Sequence, residues 1–161
     1  MSLSFSHVGV CVSDLERSTR FYTEVLGFRP VLTMDLGPEV AATMEVEGCA
    51  FTSRMLGRGD VRVELLHWRS QEAEGDGQRR PMTRLGLTHL CLRVDDVEPV
   101  LQAAEEHGGT AHRHTTTELP GLGVDGGPVR LVYLTDPDGV RIELMSGTPE
   151  LPISASAEGT R

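Results

Sequence analysis

A chain of 161 residues with a formal net charge of −9 suits one domain, or two small halves that share a core. Its acidity, with no cluster of Lys and Arg, argues against binding to nucleic acid or to anionic lipid surfaces. No stretch approaches the length of an apolar membrane span and the N-terminus lacks signal-peptide features, so we expect a cytoplasmic protein with a small-molecule partner.

The first part of the chain, residues 4–68, predicts a strand, a helix and three more strands. The first strand is expected over residues 4–12, and the helix after it begins at Ser13, with Glu16 in capping-box spacing, and ends at Gly27. Three further strands are predicted over residues 29–36, 43–54 and 60–68. A Gly-rich turn at residues 57–60 joins the last two.

The second part, residues 85–147, predicts the same order of elements. A strand over residues 87–94 leads through Asp95, as N-cap, into a helix over 97–107 that Gly108 and Gly109 end. Strands are predicted over residues 110–115, 129–135 and 140–145, with a hairpin turn over 136–139. Residues 69–84 are expected to be a linker, and residues 148–161 a flexible tail to the single domain of residues 1–147.

These two parts are copies of one pattern. A shift of 82 positions places HVGVCVSDLE on HLCLRVDDVE and so matches His7 to His89. A shift of 79 positions places VRVELL on VRIELM and matches Glu64 to Glu143. Each module therefore has a His at its first strand and a Glu in its last.

Strand alternation predicts which face each of these side chains occupies. In the first strand, Val8, Val10 and Val12 form the apolar set expected to pack against the helix, which leaves His7 on the other face. The same alternation in the other three strands turns Glu64, His89 and Glu143 away from the helices.

Two imidazoles and two carboxylates at equivalent positions indicate a metal site. Taken one at a time, a His at a strand start is more often structural, and a Glu on a strand is usually solvated. Together they would be costly to bury without a cation. The nitrogen and oxygen donors suit one divalent ion, which could be nickel, cobalt, zinc, iron or manganese.

Other side chains on the same faces are candidates for contacting a substrate. Arg62, Arg141 and Arg93 share the alternation of the Glu and His residues and could reach a carboxylate or phosphate, although exposure at the rim is their simpler role. Apolar contacts could come from the side chains of Trp68, Phe51, Met145, Met34, Met44 and Met55. Core packing is the simpler role for these.

Three segments carry a resemblance to the vicinal oxygen chelate superfamily. They are HVGVCVSDLERSTRFYTEVLGF, THLCLRVDDVE and LVYLTDPDGVRIELM, and the resemblance extends over about residues 5–146. This superfamily includes glyoxalase I, methylmalonyl-CoA epimerases, extradiol dioxygenases, fosfomycin-modifying enzymes and bleomycin-binding proteins. The resemblance implies an α+β fold of two tandem βαβββ modules, with curved mixed sheets around a metal cavity.

Within that superfamily the ligand pattern resembles glyoxalase I. His7, Glu64, His89 and Glu143 fall on the four ligand positions, and the implied activity is that of a metal-dependent lyase or isomerase that moves a proton next to a bound carbonyl. By this likeness Glu143 is our first choice for the base and Glu64 the second. Cys11 stands where similar bacterial enzymes carry an Arg that holds glutathione, so glutathione is disfavoured as co-substrate.

The resemblance leaves other functions open. A non-catalytic protein that sequesters an antibiotic or metabolite is the main alternative, and an epimerase or an extradiol dioxygenase is a further one. A homodimer is expected. Whether the two modules of one chain face each other, or each faces a module of a second chain, is not decided by the sequence.

Overall fold

The computed structural model describes residues 3–148, which form two four-stranded sheets. The first sheet contains β1 (Val8–Cys11), β2 (Arg29–Leu36), β3 (Phe51–Arg58) and β4 (Val61–Trp68), in the order β1-β4-β3-β2. The second contains β5 (Leu90–Arg93), β6 (Thr110–Leu119), β7 (Val129–Thr135) and β8 (Arg141–Ser146), in the order β5-β8-β7-β6. In each sheet the first strand pairs in parallel with the last, and the other pairs are antiparallel. The predicted tandem βαβββ fold is confirmed.

Short helices follow the first strand of each module. Helix α1 (Leu15–Arg20) continues as a π-helical turn (Phe21–Val25), and Gly27 with φ +70° follows it, as expected of a residue that ends a helix. Helix α2 spans Pro38–Ala42, α3 spans Glu98–Glu106, and a 3₁₀ turn spans Val124–Gly126. Among residues 3–148, no helix is long and apolar enough to cross a membrane.

The two modules share one hydrophobic core. Its buried residues come from α1 and its π-helical turn, from α3, and from one face of each sheet. They include Phe21, Leu65, Leu101 and Leu144, each at most 1% exposed. Because the helix-side face of each sheet is used for this core, the opposite face, here called the open face, takes no part in it.

Specific contacts across the module boundary fix this arrangement. Tyr22 donates its hydroxyl hydrogen to Asp136 in the second module's hairpin turn, at 3.2 Å. Asp138 in the same turn accepts hydrogen bonds from Ser13 and Arg17 of the first module. The ring of Phe21 lies so near Gly109 that an added Cβ there would be 2.6 Å from it, so this close approach requires glycine.

One predicted strand was wrong over its first two-thirds. Residues 43–54 were expected to be extended, but residues 43–50 form turns after α2, and β3 begins only at Phe51. Val46 in this segment packs with Ala41 and Phe51 in a second, smaller core cluster. Glu45 adopts φ 63°, which is incompatible with a strand.

Both predicted N-caps were displaced along the chain. Helix α1 is capped by Asp14, whose Oδ1 accepts a hydrogen bond from the Arg17 backbone at 2.9 Å, while Ser13 turns to Asp138. The N-cap of α3 is Val97 instead of Asp95, and Asp96 accepts from the Glu98 backbone at 3.1 Å. The contact of Ser13 with the other module, and the local turn at Asp96, thus determined the N-caps more strongly than the spacing of the capping residues did.

The remaining boundaries follow the predicted pattern closely. Strand β7 has the predicted bounds, and the turn before β8 is closed by a hydrogen bond from the Gly139 backbone to Asp136. Strands β1 and β5 are shorter than predicted, and β6 is longer. Residues 69–89 contain turns and bends but neither helix nor strand. The predicted tail lies, from residue 149 onward, outside the described residues.

Candidate metal centre

Strand register brings a His and a Glu together on the open face of each sheet. Glu64 pairs with Gly9 on the neighbouring strand β1 and with Met55 on the neighbouring strand β3. Its neighbours along β4, Val63 and Leu65, point into the shared core and are buried. The alternation that was predicted for these strands therefore holds in the structure.

The first half-site consists of His7 and Glu64. His7 Nε2 lies 3.2 Å from Glu64 Oε2, while His7 Nδ1 lies 2.9 Å from the hydroxyl of Ser6. The other carboxylate oxygen of Glu64 accepts a hydrogen bond from Ser53 on β3 at 2.5 Å. A hydroxyl group thus contacts the far side of the imidazole ring and of the carboxylate, while Nε2 and Oε2 face one another.

The second half-site consists of His89 and Glu143 and repeats this plan. His89 Nε2 lies 3.0 Å from Glu143 Oε2, and His89 Nδ1 lies 2.9 Å from the hydroxyl of Thr88. Tyr133 on β7 donates its hydroxyl hydrogen to Glu143 Oε1 at 3.0 Å, and its ring packs edge-to-face with His89. Both carboxylates are mostly buried, with 16% of the Glu64 side chain and 13% of the Glu143 side chain exposed.

The groups around Glu143 remain protonated at neutral pH. Burial, followed by the negative charge of Glu143, raises the pKa of the Cys91 thiol to about 12. Burial and the hydrogen bond to Glu143 also raise the pKa of Tyr133. The carboxylate is therefore surrounded by neutral donors, which can support its negative charge without competing for it.

The two half-sites stay apart within one chain. Among residues 3–148, no three or more His, Cys, Asp or Glu side chains are grouped closely enough to hold a metal ion. The four predicted ligands are therefore brought together as two pairs and not as one cluster. The shared core occupies the helix-side faces, so each pair lies on the opposite face of its own sheet.

The three arginines that were predicted to contact a substrate lie in different surroundings. Arg62 folds back onto the β3–β4 hairpin and donates to the Gly59 carbonyl at 2.7 Å. Arg141 lies over the ring of Tyr133, with its guanidinium carbon 5.6 Å from the ring centre. The charge of Arg93 lowers the pKa of the neighbouring Cys91, although burial and Glu143 outweigh this effect.

The apolar candidates differ in what they can offer a ligand. Phe51 is 1% exposed and packs beside Trp68, with ring centres 5.0 Å apart, so it presents almost no surface. Trp68 and Met145 are only partly buried. Met145 pairs with Leu131 and with Arg93, which places it one row beyond Glu143 on the second open face.

A cavity of roughly 710 Å³ opens beside the second half-site. Its walls include His89 and Arg141 of the second module, Cys11 of the first, and Arg80 and Arg84 between the modules. Burial raises the pKa of Cys11. The volume is in the range of small-molecule sites.

Sequence reasoning missed the hydroxyl groups that support both half-sites. Ser6 and Thr88 each directly precede a predicted His ligand, and this shared feature of the two copies was a usable signal. Ser53 and Tyr133 lie on neighbouring strands, and their role depends on register that the sequence does not supply. Such supporting groups orient metal ligands and set their basicity.

The donor set fits a divalent ion of the first transition row. In each half-site, one imidazole nitrogen faces one carboxylate oxygen. Both His residues contact a hydroxyl group through Nδ1, so Nε2 is the nitrogen that faces the carboxylate. Two such pairs would supply two nitrogen and two oxygen ligands. Imidazole and carboxylate together suit zinc, nickel, cobalt, iron or manganese.

Comparison with known sequences identifies the family. The sequence model of the Glyoxalase/Bleomycin resistance protein/Dioxygenase superfamily matches residues 4–144. The chain belongs to this superfamily. Its members include lyases, an epimerase and fosfomycin resistance proteins that resemble this chain, so membership alone does not specify one function.

Curated relatives in the superfamily include enzymes of two kinds. Lactoylglutathione lyase of Haemophilus influenzae is 30% identical over 140 residues, which cover 86% of this chain and 89% of that protein. Methylmalonyl-CoA epimerase of Bos taurus is 26% identical, covering 86% of this chain and 71% of that protein. The chain spans about a third of a probable chloroplastic lactoylglutathione lyase of Arabidopsis thaliana, where 35% of that protein is covered.

Solved structures of the superfamily share the fold. A glyoxalase family protein from Bacillus cereus has a TM-score of 0.77 at 18% identity, with 92% of this chain and 97% of that chain covered. A mutant fosfomycin resistance protein from Listeria monocytogenes, solved with Mn(II) and a dihydroxypropylphosphonic acid, has a TM-score of 0.58 at 18% identity, with 93% and 97% covered. At these identities the likeness concerns the fold alone.

Proposed function

We propose that this protein is a divalent-metal-dependent lyase or isomerase that moves a proton next to a substrate carbonyl. The observation that carries the proposal is the duplicated half-site, in which a His and a Glu face each other and are each held by a hydroxyl group. The similarity to lactoylglutathione lyases and to methylmalonyl-CoA epimerases supports proton transfer as the common chemistry.

We further propose that one complete site needs two copies of the chain. Each half-site supplies two ligands, and the two half-sites of one chain lie on open faces that the shared core keeps apart. A twofold dimer would place the first half-site of one copy against the second half-site of the other and so form two equivalent sites. His7 and Glu64 would then share an ion with the partner's His89 and the partner's Glu143.

The chemistry of this site divides between the ion and the protein. When bound, the ion would supply a Lewis acid that stabilises negative charge on the substrate oxygen. His7 and His89 would hold the ion through Nε2. Glu143 would take the proton from the carbon beside the carbonyl and return it to the neighbouring carbon.

The surroundings of Glu143 favour it as the base over Glu64. Tyr133 donates to Glu143 Oε1 and leaves Oε2 directed at His89. Tyr133 remains a phenol because its pKa is raised by burial and by Glu143, so it can keep one carboxylate oxygen in place while the other carries the proton. The cavity beside His89 and Arg141 gives space for a small substrate.

The substrate is proposed to be a carbonyl compound or thiol adduct other than that of glutathione. Cys11 occupies the position at which similar bacterial enzymes carry an Arg for glutathione, and its thiol, whose pKa is raised by burial, stays neutral and offers no positive charge. A lyase for a different thiol adduct, or an isomerase for a free hydroxycarbonyl compound, is compatible with this change.

The proposal is tested by metal analysis followed by turnover. Protein purified without chelator should contain about one zinc, nickel, cobalt, iron or manganese ion per chain. Turnover should be seen with a panel of 2-oxoaldehydes, alone and as adducts of several thiols. Glu143→Gln should lower it by roughly a hundredfold to ten-thousandfold while keeping its fold. Arg29→Gln, at the exposed edge strand β2, is the control. Tight ligand binding by metal-free protein, with the ligand recovered unchanged, would instead indicate a sequestering protein.

A further inference from the structure

A row of three paired residues crosses the second sheet through Glu143. His112 on β6 pairs with Tyr133 on β7, and Tyr133 pairs with Glu143 on β8. Cross-strand partners point to the same face, so the imidazole of His112 lies on the open face, one strand beyond Tyr133. Arg141 reaches over the Tyr133 ring from two residues along β8.

His112 has an unused polar atom. Its Nε2 is buried, and within residues 3–148 no hydrogen-bond partner is present for it. The register of β6 on β7 shifts between His112 and Thr117. In this irregular stretch the hydroxyl oxygen of Thr115 accepts a hydrogen bond from the Tyr133 backbone. A buried nitrogen without a partner is costly, so this atom is available to a bound group.

Arg79 adjoins Arg80, whose carbonyl accepts a hydrogen bond from Arg141, so the segment between the modules brings a second guanidinium near this place. Burial, and after it the positive charge of Arg79, lowers the pKa of His112. In the part of the chain described, no carboxylate lies within ion-pair distance of Arg79 or Arg141. The guanidinium groups of Arg79 and Arg141 thus repel one another beside His112, on a protein whose formal charge is −9.

We propose that Arg79, His112 and Arg141 form a binding site for an oxyanion, which is the carboxylate or phosphate group of the substrate. This inference rests on the proposed function and names the class of its substrate: an anionic carbonyl compound. An anion would satisfy the free nitrogen of His112 and remove the repulsion between the two guanidinium groups. Arginine is well suited to this role because its planar donors can bind an oxyanion in pairs.

The position of the site relates it to the second half-site. Tyr133 has Arg141 over its ring and Glu143 at its hydroxyl, so it stands between the anion site and the base. Arg141 also donates to the carbonyl of Arg80 at 2.5 Å and thereby ties the intermodule segment that carries Arg79 to β8. The anion site would therefore hold the charged end of a substrate while its carbonyl reaches the half-site.

The experiment titrates inorganic phosphate, and separately malonate, into the full-length protein after metal removal, at constant pH and ionic strength. The imidazole resonances of His112, assigned by their loss in His112→Gln, report binding in NMR spectra. We expect a saturable shift with at least one probe. Tighter phosphate binding would indicate a phosphorylated substrate, and tighter malonate binding a carboxylate.

Charge-matched variants decide between a site and general attraction. Arg79→Gln and Arg141→Gln should each weaken probe binding by about tenfold, as expected for the loss of a charged hydrogen bond, whereas Arg29→Gln should change it less than twofold. A linear shift without saturation, or equal binding by all three variants, would overturn the proposal. If Arg141→Gln is misfolded, Arg79→Gln alone suffices.

The outcome is independent of turnover, because the titration uses metal-free protein. Saturable anion binding without any turnover would leave the anion site standing and refute the proposed activity. Turnover that is insensitive to the substrate's charge, together with the absence of probe binding, would refute the anion site and leave the proposed activity standing.

Discussion

The open face of the first sheet differs from that of the second at matching positions. The row through Glu64 consists of Leu32 and Met55, while the row through Glu143 consists of His112 and Tyr133. The first is apolar, and the second is polar with positive charge from Arg141 beside it. The duplicated ligand pair has therefore been kept while its surroundings have diverged, so the two halves cannot make equivalent contacts with a substrate.

The helix-side faces show the opposite behaviour. Leu65 and Leu144 occupy the equivalent position in VRVELL and VRIELM, both are 0% exposed, and both belong to the shared core. Packing constrains this side of each sheet in the same way in both modules. Mutations should therefore act alike in the two cores and differently elsewhere in the two modules.

The largest effect is expected from the shared core. Leu65→Ala and Leu144→Ala should each lower the free energy of unfolding by about 2–5 kcal/mol, because each removes a fully buried side chain and leaves a cavity. Both variants, like the wild type, should unfold in a single transition in denaturant, followed by circular dichroism. Two separate transitions, or a large cost for one variant only, would show that the modules do not share one cooperative core.

A second, smaller effect should distinguish the hairpin turns of the two modules. Burial raises the pKa of Asp136 to about 6, although three hydrogen bonds to its carboxylate oppose this shift. No such buried acid lies in the first module's turn, where Asp60 is exposed. Because the folded pKa is raised, stabilisation of up to roughly 3 kcal/mol is present below pH 4 and is lost as the pH rises through about 6.

Asp136→Asn should remove this pH dependence. The difference in unfolding free energy between wild type and variant should shift in favour of the variant as the pH rises from 4 to 7, as measured by urea denaturation at several pH values. Asp60→Asn is the matched control and should show no such trend. A difference in unfolding free energy that is constant over this pH range would mean that burial does not raise the pKa of Asp136.

The smallest effect should come from the hydroxyl groups behind the two carboxylates. Ser53→Ala and Tyr133→Phe each remove one donor to a Glu and leave the ligands in place. Each should weaken metal affinity by about tenfold, the low end of the range for supporting groups. Competition with a chelating dye measures this. An effect from only one variant would show that the ion depends on one half-site.

The sequence was sufficient for features governed by alternation and repetition. The apolar valines of β1 predicted which side His7 would take, and the repeat carried the same prediction to His89, Glu64 and Glu143. The Asp136–Gly139 turn followed from local turn chemistry alone. These features depend on a residue's immediate neighbours or on its copy, both of which can be read along the chain.

Features that depend on tertiary contact could not be predicted. Helix α2 was not predicted, and the turns after it were predicted as the start of a strand, yet Val46 in these turns packs against Ala41 of α2. Ser13 lost its cap role to a contact with Asp138, which lies in the other module. Arg79 and His112 are far apart in sequence, so nothing along the chain relates them.

The central claim, that one site is built from two chains, can be tested without knowing the substrate. One variant, His7→Ala with Glu64→Gln, disables the first half-site, and another, His89→Ala with Glu143→Gln, disables the second. Each homodimer then lacks any complete site. In the mixed dimer, one interface pairs the two disabled half-sites and the other pairs the two intact ones.

The measurement is the metal content of the mixed dimer, isolated through two different affinity tags and compared with both homodimers. The account predicts one ion per mixed dimer, two per wild-type dimer and none in either variant homodimer. A mixed dimer without metal, while the wild type binds it, would show that the four ligands act within one chain and would contradict the account.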